Sequence, residues 1–526
     1  MNEFMRKIKG CRIFILVLAV IVLAGFKMIL SQAPRERPRL LSSGITTTVN
    51  PYGIAPLTAI ADFKTKSECS VQVRVLGDIE VVKNFEDQGT VHSIPILGLY
   101  PNRVNTVILT LSTPLGTFET RILSIQTDSL PSFFPDITIE AARPGLMEPG
   151  MNLCTMFVAM GNDRPTYPMI FDRNGDIRWY LDLSKYNGWC VPFERIKNGN
   201  FVFSSADSVY EYNMLGKLER QITVPGYNFH HDVVELPSGN FLAAVDKQAT
   251  FIINSRGLIP SQEDHMIEID RSTGAIVTEW DMRKVLDVAR NEAMDSSGDW
   301  FHMNSFWYSP KDDCFIVSGR HQGVLKVSRD NQLKWILAGH LGWGKSGYDG
   351  SGFEISPFLL TAVDVSGNPY QPEIQDGLVA GDDFDWTWGA HYPVILPDGN
   401  IFIFDNGARR NFHPGHPLYS RGVEYRVHED KMTVEQVWEY GQERGEETFS
   451  LIVSNVEYLP LTRNRLIVPG IIENPPDYRA KIIEVTHPDK TVVFEATIHF
   501  KNLLAGELSK SPWDAIYRAH RISIYP

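Results

Sequence analysis

The chain has 526 residues, 43% of them hydrophobic and 11% aromatic, which suits one large repeat domain with a sizeable core plus a smaller β-rich one. Its formal net charge is −13, with acids and bases interspersed and no basic stripe, which argues against a nucleic-acid partner. Cys11, Cys69, Cys154, Cys190 and Cys314 form no CxxC pair, so there is no zinc signature, and their spacings predict no disulfide.

Residues 1–33 read as an export segment. Arg6, Lys7, Lys9 and Arg12 precede an apolar run from Ile13 to Phe26, extended by Met28 to Leu30 past Lys27. A positive segment followed by an apolar one is a signal peptide or, at this length, an N-terminal membrane anchor with one transmembrane helix. Either places the rest of the chain outside the cytoplasm, in the periplasm or tethered to the inner membrane. Residues 34–44 form a polar, proline-containing linker. Residues 45–140 carry short alternating runs, such as those from Cys69, Val107 and Thr117, which predict a small β-sandwich.

From residue 145 to 505 the pattern becomes a repeat. One half of the unit is a strand, a tight turn and a second strand. The turns fall at 197–200, 237–240, 310–313, 397–400 and 461–464, several with the Asn-Gly, Ser-Gly or Asp-Gly pairs that tight hairpins demand. The other half is an outer hairpin, found six times: 169–180, 209–218, 266–276, 324–335, 423–434 and 482–493. Four strands per unit, repeated six times, is the arithmetic of a six-bladed β-propeller, leaving 506–526 as a C-terminal segment. Insertions near 283–300 and 341–386 stretch the spacing, and long loops on a regular scaffold tend to be functional.

Three histidines stand where these insertions and strands meet. His231 and His391 lie at equal distances before the turn residues Asn240 and Asn400, which makes them equivalent positions. His302 stands two residues further from Asp313, an offset that a bulge would absorb. All three begin strands expected to line the central channel, so their imidazoles should converge at one mouth. His230 competes with His231, and the turn alignment selects His231. Arg320 ends the strand after His302 and offers a planar cation to an oxyanion. Asn304, two residues after His302, is expected on the same side of its strand. No convincing carboxylate stands at the strand heads apart from Asp232, and an arginine would oppose a dication, so no metal is expected. The stretch from Gly339 to Ser346 matches a phosphate-binding loop letter for letter. It lacks the helix that such a loop needs, and it reads instead as a glycine- and tryptophan-rich loop whose Trp343 contacts an aromatic substrate.

The segments Asp299-Trp-Phe-His-Met-Asn-Ser, Ser318-Gly-Arg-His-Gln, Lys334-Trp-Ile-Leu-Ala-Gly-His, Thr387-Trp-Gly-Ala-His and Phe404-Asp-Asn-Gly together resemble the bacterial arylsulfate sulfotransferases, and so does the stretch from Met432 to Glu447. The resemblance runs from about residue 45 to 500. It implies a propeller that moves a sulfuryl group between small phenols through a sulfohistidine, without 3′-phosphoadenosine phosphosulfate or any cofactor. By motif match, His391 is the nucleophile, while His231, His302 and Arg320 hold the sulfuryl and phenolic oxygens. His230, Asn304 and Trp343 join as substrate-binding residues. Three features depart from the family: Pro393 just inside the strand of His391, no cysteine beyond Cys314 to form a disulfide in the loop before the nucleophile, and the N-terminal anchor. Membrane anchoring and a homodimer are left open. The alternatives are a non-catalytic propeller that binds a ligand or protein, and a metal-dependent channel hydrolase.

Overall fold

The computed structural model describes residues 39–160, 163–186, 188–290, 298–413, 418–474, 477–503 and 514–526. The expected export segment, residues 1–33 with its transmembrane helix, lies outside the described residues, among which no helix is long and apolar enough to cross a membrane.

The described chain is almost wholly β-structure. Its N-terminal part is one five-stranded sheet of Thr46–Val49, Ala59–Val75, Val81–Ile96, Val104–Ser112 and Phe118–Gln126. The long strand Ala59–Val75 pairs first with Thr46–Val49 and then with Val104–Ser112, while Val81–Ile96 runs beside its whole length. Register shifts around Cys69 separate the two pairings. Along this strand Ala59, Ala61, Phe63, Val71, Val73 and Val75 are buried and alternate with polar residues, the period-2 pattern of a half-buried sheet. Buried Arg178 ties this domain to the rest. It donates to the Gly98 carbonyl at 2.7 Å and stacks over Tyr100 at 3.5 Å.

Among the described residues six mainly antiparallel sheets follow, besides a two-stranded one of Phe251–Asn254 and Gly257–Pro260. Sheet 1 has the order Ala515–Ile522, Met151–Phe157, Thr166–Phe171, Ile177–Tyr180. Sheet 2 takes four strands in chain order from Val191–Arg195 to Leu218–Thr223. Sheet 3 holds Tyr227–Glu235, Phe241–Lys247, His265–Ile269 and Ile276–Asp281. Sheet 4 runs from Met303–Ser309 to Leu333–Leu337, and sheet 5 from His391–Ile395 to Thr433–Tyr440. Sheet 6 holds Asn455–Tyr458, Arg465–Val468, Asp477–Val485 and Val492–His499, with Asp136–Ala142 on its outer edge. The first strands of neighbouring sheets touch in succession, and Ala515–Ile522 touches those of both sheet 6 and sheet 2.

Separate apolar clusters fill the spaces between successive sheets. A repeated tryptophan device ties the sheets together. Trp179, Trp280, Trp335 and Trp438, each on the outer strand of its sheet, donate their indole N–H to the outer hairpin of the next one, at Met214, Ser328, Glu429 and Pro488. A buried indole that finds an acceptor combines a large apolar contact with a fixed register between layers.

Two boundaries read from the sequence need correction. The supposed C-terminal segment of 506–526 contains the first strand of sheet 1, and the last strand of the supposed sandwich belongs to sheet 6. Both pairings join segments far apart in the chain, which no local pattern signals. Pro393 falls inside a register shift between His391 and Val394, where its missing N–H breaks no ladder bond. Cys69, Cys154, Cys190 and Cys314 are all buried and free.

Candidate active site

The site is built on irregular starts of first strands. His231 lies inside a register shift between Phe229 and Val233, and His302 immediately precedes one between Met303 and Ser305. His391 opens the one that ends at Val394. His231 and His302 adopt positive φ angles of 48° and 55°, and Tyr392, next to His391, one of 50°. A non-glycine residue there is strained by about 1 kcal/mol, and bulges of this kind re-aim side chains at the ends of strands.

These turns bring the histidines together. The rings of His231 and His302 lie 4.8 Å apart and nearly perpendicular, and His321 approaches His302 at 5.2 Å. His302 Nδ1 is 2.7 Å from Asp299 Oδ2 and 2.9 Å from Glu263 Oε2. His230 and His231 meet Nδ1 to Nδ1 at 3.0 Å, and Tyr517 donates its hydroxyl to the His231 carbonyl at 2.9 Å. His391 Nδ1 lies 2.7 Å from Asn406 Oδ1 and 2.9 Å from the Gly389 carbonyl. Both partners are acceptors, since the Asn406 amide nitrogen donates to the carbonyls of Ser450 and Val453. The ring proton of His391 therefore sits on Nδ1, and Nε2 keeps its lone pair.

Electrostatics divide the histidines. Burial pushes His391 well below the ordinary histidine range, and the nearby Arg320 and His302 cations lower it further. Burial likewise pushes His231 down to about 3. Burial opposes charge on His302 as well, but Glu263 and Asp299 outweigh it and raise this histidine to about 9. Glu263 falls to about 2 because the neighbouring histidines overcome its burial, and burial lowers Arg320 to about 10. At neutral pH His231 and His391 are thus neutral imidazoles, His302 is an imidazolium beside the Arg320 guanidinium, and Glu263 and Asp299 are carboxylates. Buried polar atoms without a hydrogen-bond partner gather here: His230 Nε2, Asp299 Oδ1, Arg320 Nε and His321 Nδ1. Such groups are rare in a folded interior, and a cluster of them marks a place built for a ligand.

Of the residues named from sequence, His231, His302, His391, Arg320 and His230 meet in this pocket, and Asn304 and Trp343 have their polar groups engaged by backbone carbonyls. Asn304 is wholly buried and donates to the carbonyl of Ala390, next to His391, at 2.7 Å. The register shift beside it breaks the strand alternation that would have set it next to His302. Trp343 gives its N–H to Gly339 and lies under the Arg290 guanidinium at 3.8 Å. That loop, Gly339 to Ser346, runs as turns without a helix, as expected. The reading that no convincing carboxylate stands near the strand heads apart from Asp232 is corrected by Glu263 and Asp299. The sets His230, His231, Glu263 and Asp299, His302, His321 each bring three ligand atoms within 4.8 Å of one another. Sequence reasoning also missed Asn406 and His321, although both stand inside quoted motifs. Glu263 and Tyr517 carry no local signal.

Comparison with known proteins agrees with this chemistry. Residues 137–505 match the family described as Arylsulfotransferase (ASST), and residues 46–128 match the Arylsulfotransferase Ig-like domain. The chain is 30% identical over 505 residues to an arylsulfate sulfotransferase of Escherichia coli O6:H1, covering 78% of this chain and 82% of that one. It is 28% identical over 506 residues to one from Lelliottia amnigena, with the same coverage. Among solved structures, a DUF4784 family protein from Bacteroides caccae aligns over 88% of this chain and 94% of its own at 8% identity and a TM-score of 0.30.

Proposed function

The chain belongs to the arylsulfotransferase family, and from that premise we propose that it moves a sulfuryl group from an aryl sulfate to a phenol through a sulfohistidine on His391, independently of 3′-phosphoadenosine phosphosulfate. The observation that carries this reading is the grip on His391: Asn406 and Gly389 hold the proton on Nδ1, no described residue hydrogen-bonds to Nε2, and the Arg320 and His302 cations lie close by.

Nε2 of His391 attacks sulfur. The bond from sulfur to the aryl oxygen breaks, its electron pair goes to that oxygen, and the His302 imidazolium supplies a proton there. Arg320 faces the sulfuryl oxygens, and the neutral His231 lines the same pocket. In the second half, the acceptor phenol returns a proton to His302 and its oxygen attacks sulfur. The N–S bond breaks and its electron pair returns to Nε2. Sulfuryl transfer, like phosphoryl transfer, depends mainly on alignment and on cations around the equatorial oxygens. The turn structure of Gly339 to Ser346 supports a donor other than a nucleotide.

The six sheets are read as the blades of a six-bladed β-propeller. The succession of touching first strands supports this, with Ala515–Ile522 between sheets 6 and 2. We read the domains as periplasmic, released or tethered through residues 1–33, a reading supported by the basic cluster and apolar run in that segment. A metal-dependent hydrolase remains the second reading because of the two three-residue ligand sets.

The test uses p-nitrophenyl sulfate with phenol. The expected result is nitrophenol release, phenyl sulfate formation and a sulfated protein intermediate, with His391→Ala losing all three. No turnover by the parent across several phenols, or full turnover by His391→Ala, refutes the reading.

A further inference from the structure

The first strands of sheets 3, 4 and 5 carry or follow His231, His302 and His391, and with that of sheet 2 they end at the hairpin turns near Lys197, Pro237, Pro310 and Pro397. At that far end they enclose a second cavity of about 1010 Å³. None of His231, His302, His391 or Arg320 lines it. Between the two lies Arg518, which is paired with Asp232 at 2.8 Å and donates to the Asn304 carbonyl at 3.0 Å.

The walls are aromatic and apolar. Phe306, Trp307 and Tyr308 come from sheet 4, Tyr392 from sheet 5 and Tyr458 from sheet 6. The polar residues in this cavity are mostly acidic at its inner end, where Glu194 and Glu457 flank His520. His520 Nε2 is 3.2 Å from Glu194 and its Nδ1 3.8 Å from Glu457. Its ring lies 5.6 Å from that of Tyr392.

The charges at this inner end do not balance. Arg518 and His520 face Asp232, Glu194 and Glu457, two cations against three carboxylates. Arg521 gives Glu457 only its backbone N–H, at 2.8 Å, because its guanidinium lies against Glu484 at 3.1 Å. At the rim, Arg195 turns to the carbonyls of Ser523 and Ile524, Lys197 to those of Leu236 and Pro237, and Lys311 stands exposed. Burial pushes Glu457 up to about 6, as befits a carboxylate without a full countercharge.

We propose that this cavity is a second ligand site, separate from the histidine pocket, which takes an organic ammonium with an aromatic body. The ammonium would sit at Glu457 and the body against Trp307 and Tyr458. A cation held by a carboxylate and bordered by ring faces gains both charge pairing and cation–π attraction, and the apolar walls favour the ring.

The test is calorimetric titration of the whole protein with 2-phenylethylammonium and, in parallel, its neutral isostere 2-phenylethanol. The expected result is that the parent binds the ammonium at least about tenfold more tightly than the alcohol. Glu457→Gln should abolish that preference and leave the alcohol unaffected. Trp307→Ala, at a half-exposed ring, should weaken both and provides an independent arm. His391→Ala should bind both as the parent does, which separates this site from the sulfuryl-transfer reading. Equal affinity for the two probes in the parent, no binding up to about 10 mM, a preference that survives Glu457→Gln, or binding lost in His391→Ala each overturns the proposal.

Discussion

Replacing Asp299 with asparagine removes one of the two charges that keep His302 protonated while preserving an acceptor for its Nδ1–H. The two carboxylates stand 2.7 and 2.9 Å from that nitrogen. They hold His302 at about 9 against an ordinary 6.5. That difference favours the imidazolium by about 3 kcal/mol. Because the histidine is raised, its proton is present below the raised value and lost as pH rises through it. The parent should therefore lose turnover on the alkaline side near pH 9. With Glu263 alone remaining, the descent should move to between about pH 7 and about pH 8. The assay is initial rate against pH for two donors. With p-nitrophenyl sulfate the leaving oxygen is weakly basic and needs little help. With phenyl sulfate it is far more basic, and the smaller protonated fraction of His302 at pH 8, roughly a tenth to a half against about nine-tenths in the parent, should cost about 2–10-fold. An alkaline limb in the same place for parent and variant, or equal losses with both donors, would refute His302 as the proton carrier.

Asn406→Ala should lower kcat by about 10–100-fold with a smaller change in KM, because the imidazole of His391 loses a partner that orients it; pre-steady-state formation of the sulfated intermediate would show whether the attacking step is what slows. Arg320→Lys should raise the donor KM and reduce kcat/KM by about 10-fold or more, since an ammonium cannot present the planar fork to two sulfuryl oxygens; unchanged steady-state kinetics would discard that contact. Arg518→Met should destabilise the fold by about 3–5 kcal/mol by leaving Asp232 buried and unpaired, read as a shift in denaturant midpoint at constant m-value. Dialysis against a chelator should leave turnover intact, and added zinc should inhibit, because His230, His231 and Glu263 offer it a ready three-ligand set. A chelator-sensitive parent that zinc restores would favour the hydrolase reading instead.

The strands and the histidines were legible because they are local. Turn pairs and alternation mark a hairpin wherever it occurs, and equal spacing from the turns picked out His231 and His391. What escaped was long-range or depended on a single residue of slip. Ala515–Ile522 pairs with Met151–Phe157, and Asp136–Ala142 with Val492–His499, yet nothing within either segment names its partner. Asn304 was placed on the wrong side because alternation was counted through a bulge. Glu263 comes from the connection that leads into the third strand of sheet 3, and only folding sets it against His302. The carboxylate partners of that histidine were therefore half visible, Asp299 by its position three residues upstream and Glu263 not at all.

The two central histidines face different partners at Nδ1, and that difference supports the roles proposed for them. His391 Nδ1–H faces a neutral amide and a carbonyl, while His302 Nδ1–H faces two carboxylates. A carboxylate behind His391 would draw its proton away as positive charge develops on the ring, leaving a neutral N-sulfo imidazole. Neutral acceptors leave that proton in place. In the proposed mechanism the sulfated ring would then stay cationic, its nitrogen would remain a good leaving group, and the sulfuryl group could pass on to a phenol instead of stalling on the protein. The carboxylates behind His302 do the reverse: they favour the charged form, so in the proposed mechanism a proton would be ready when the first aryl oxygen departs. Two imidazoles with the same intrinsic chemistry are pushed apart by their environments, one below neutrality and one above it, which is how acid and nucleophile can coexist in one small pocket at one pH.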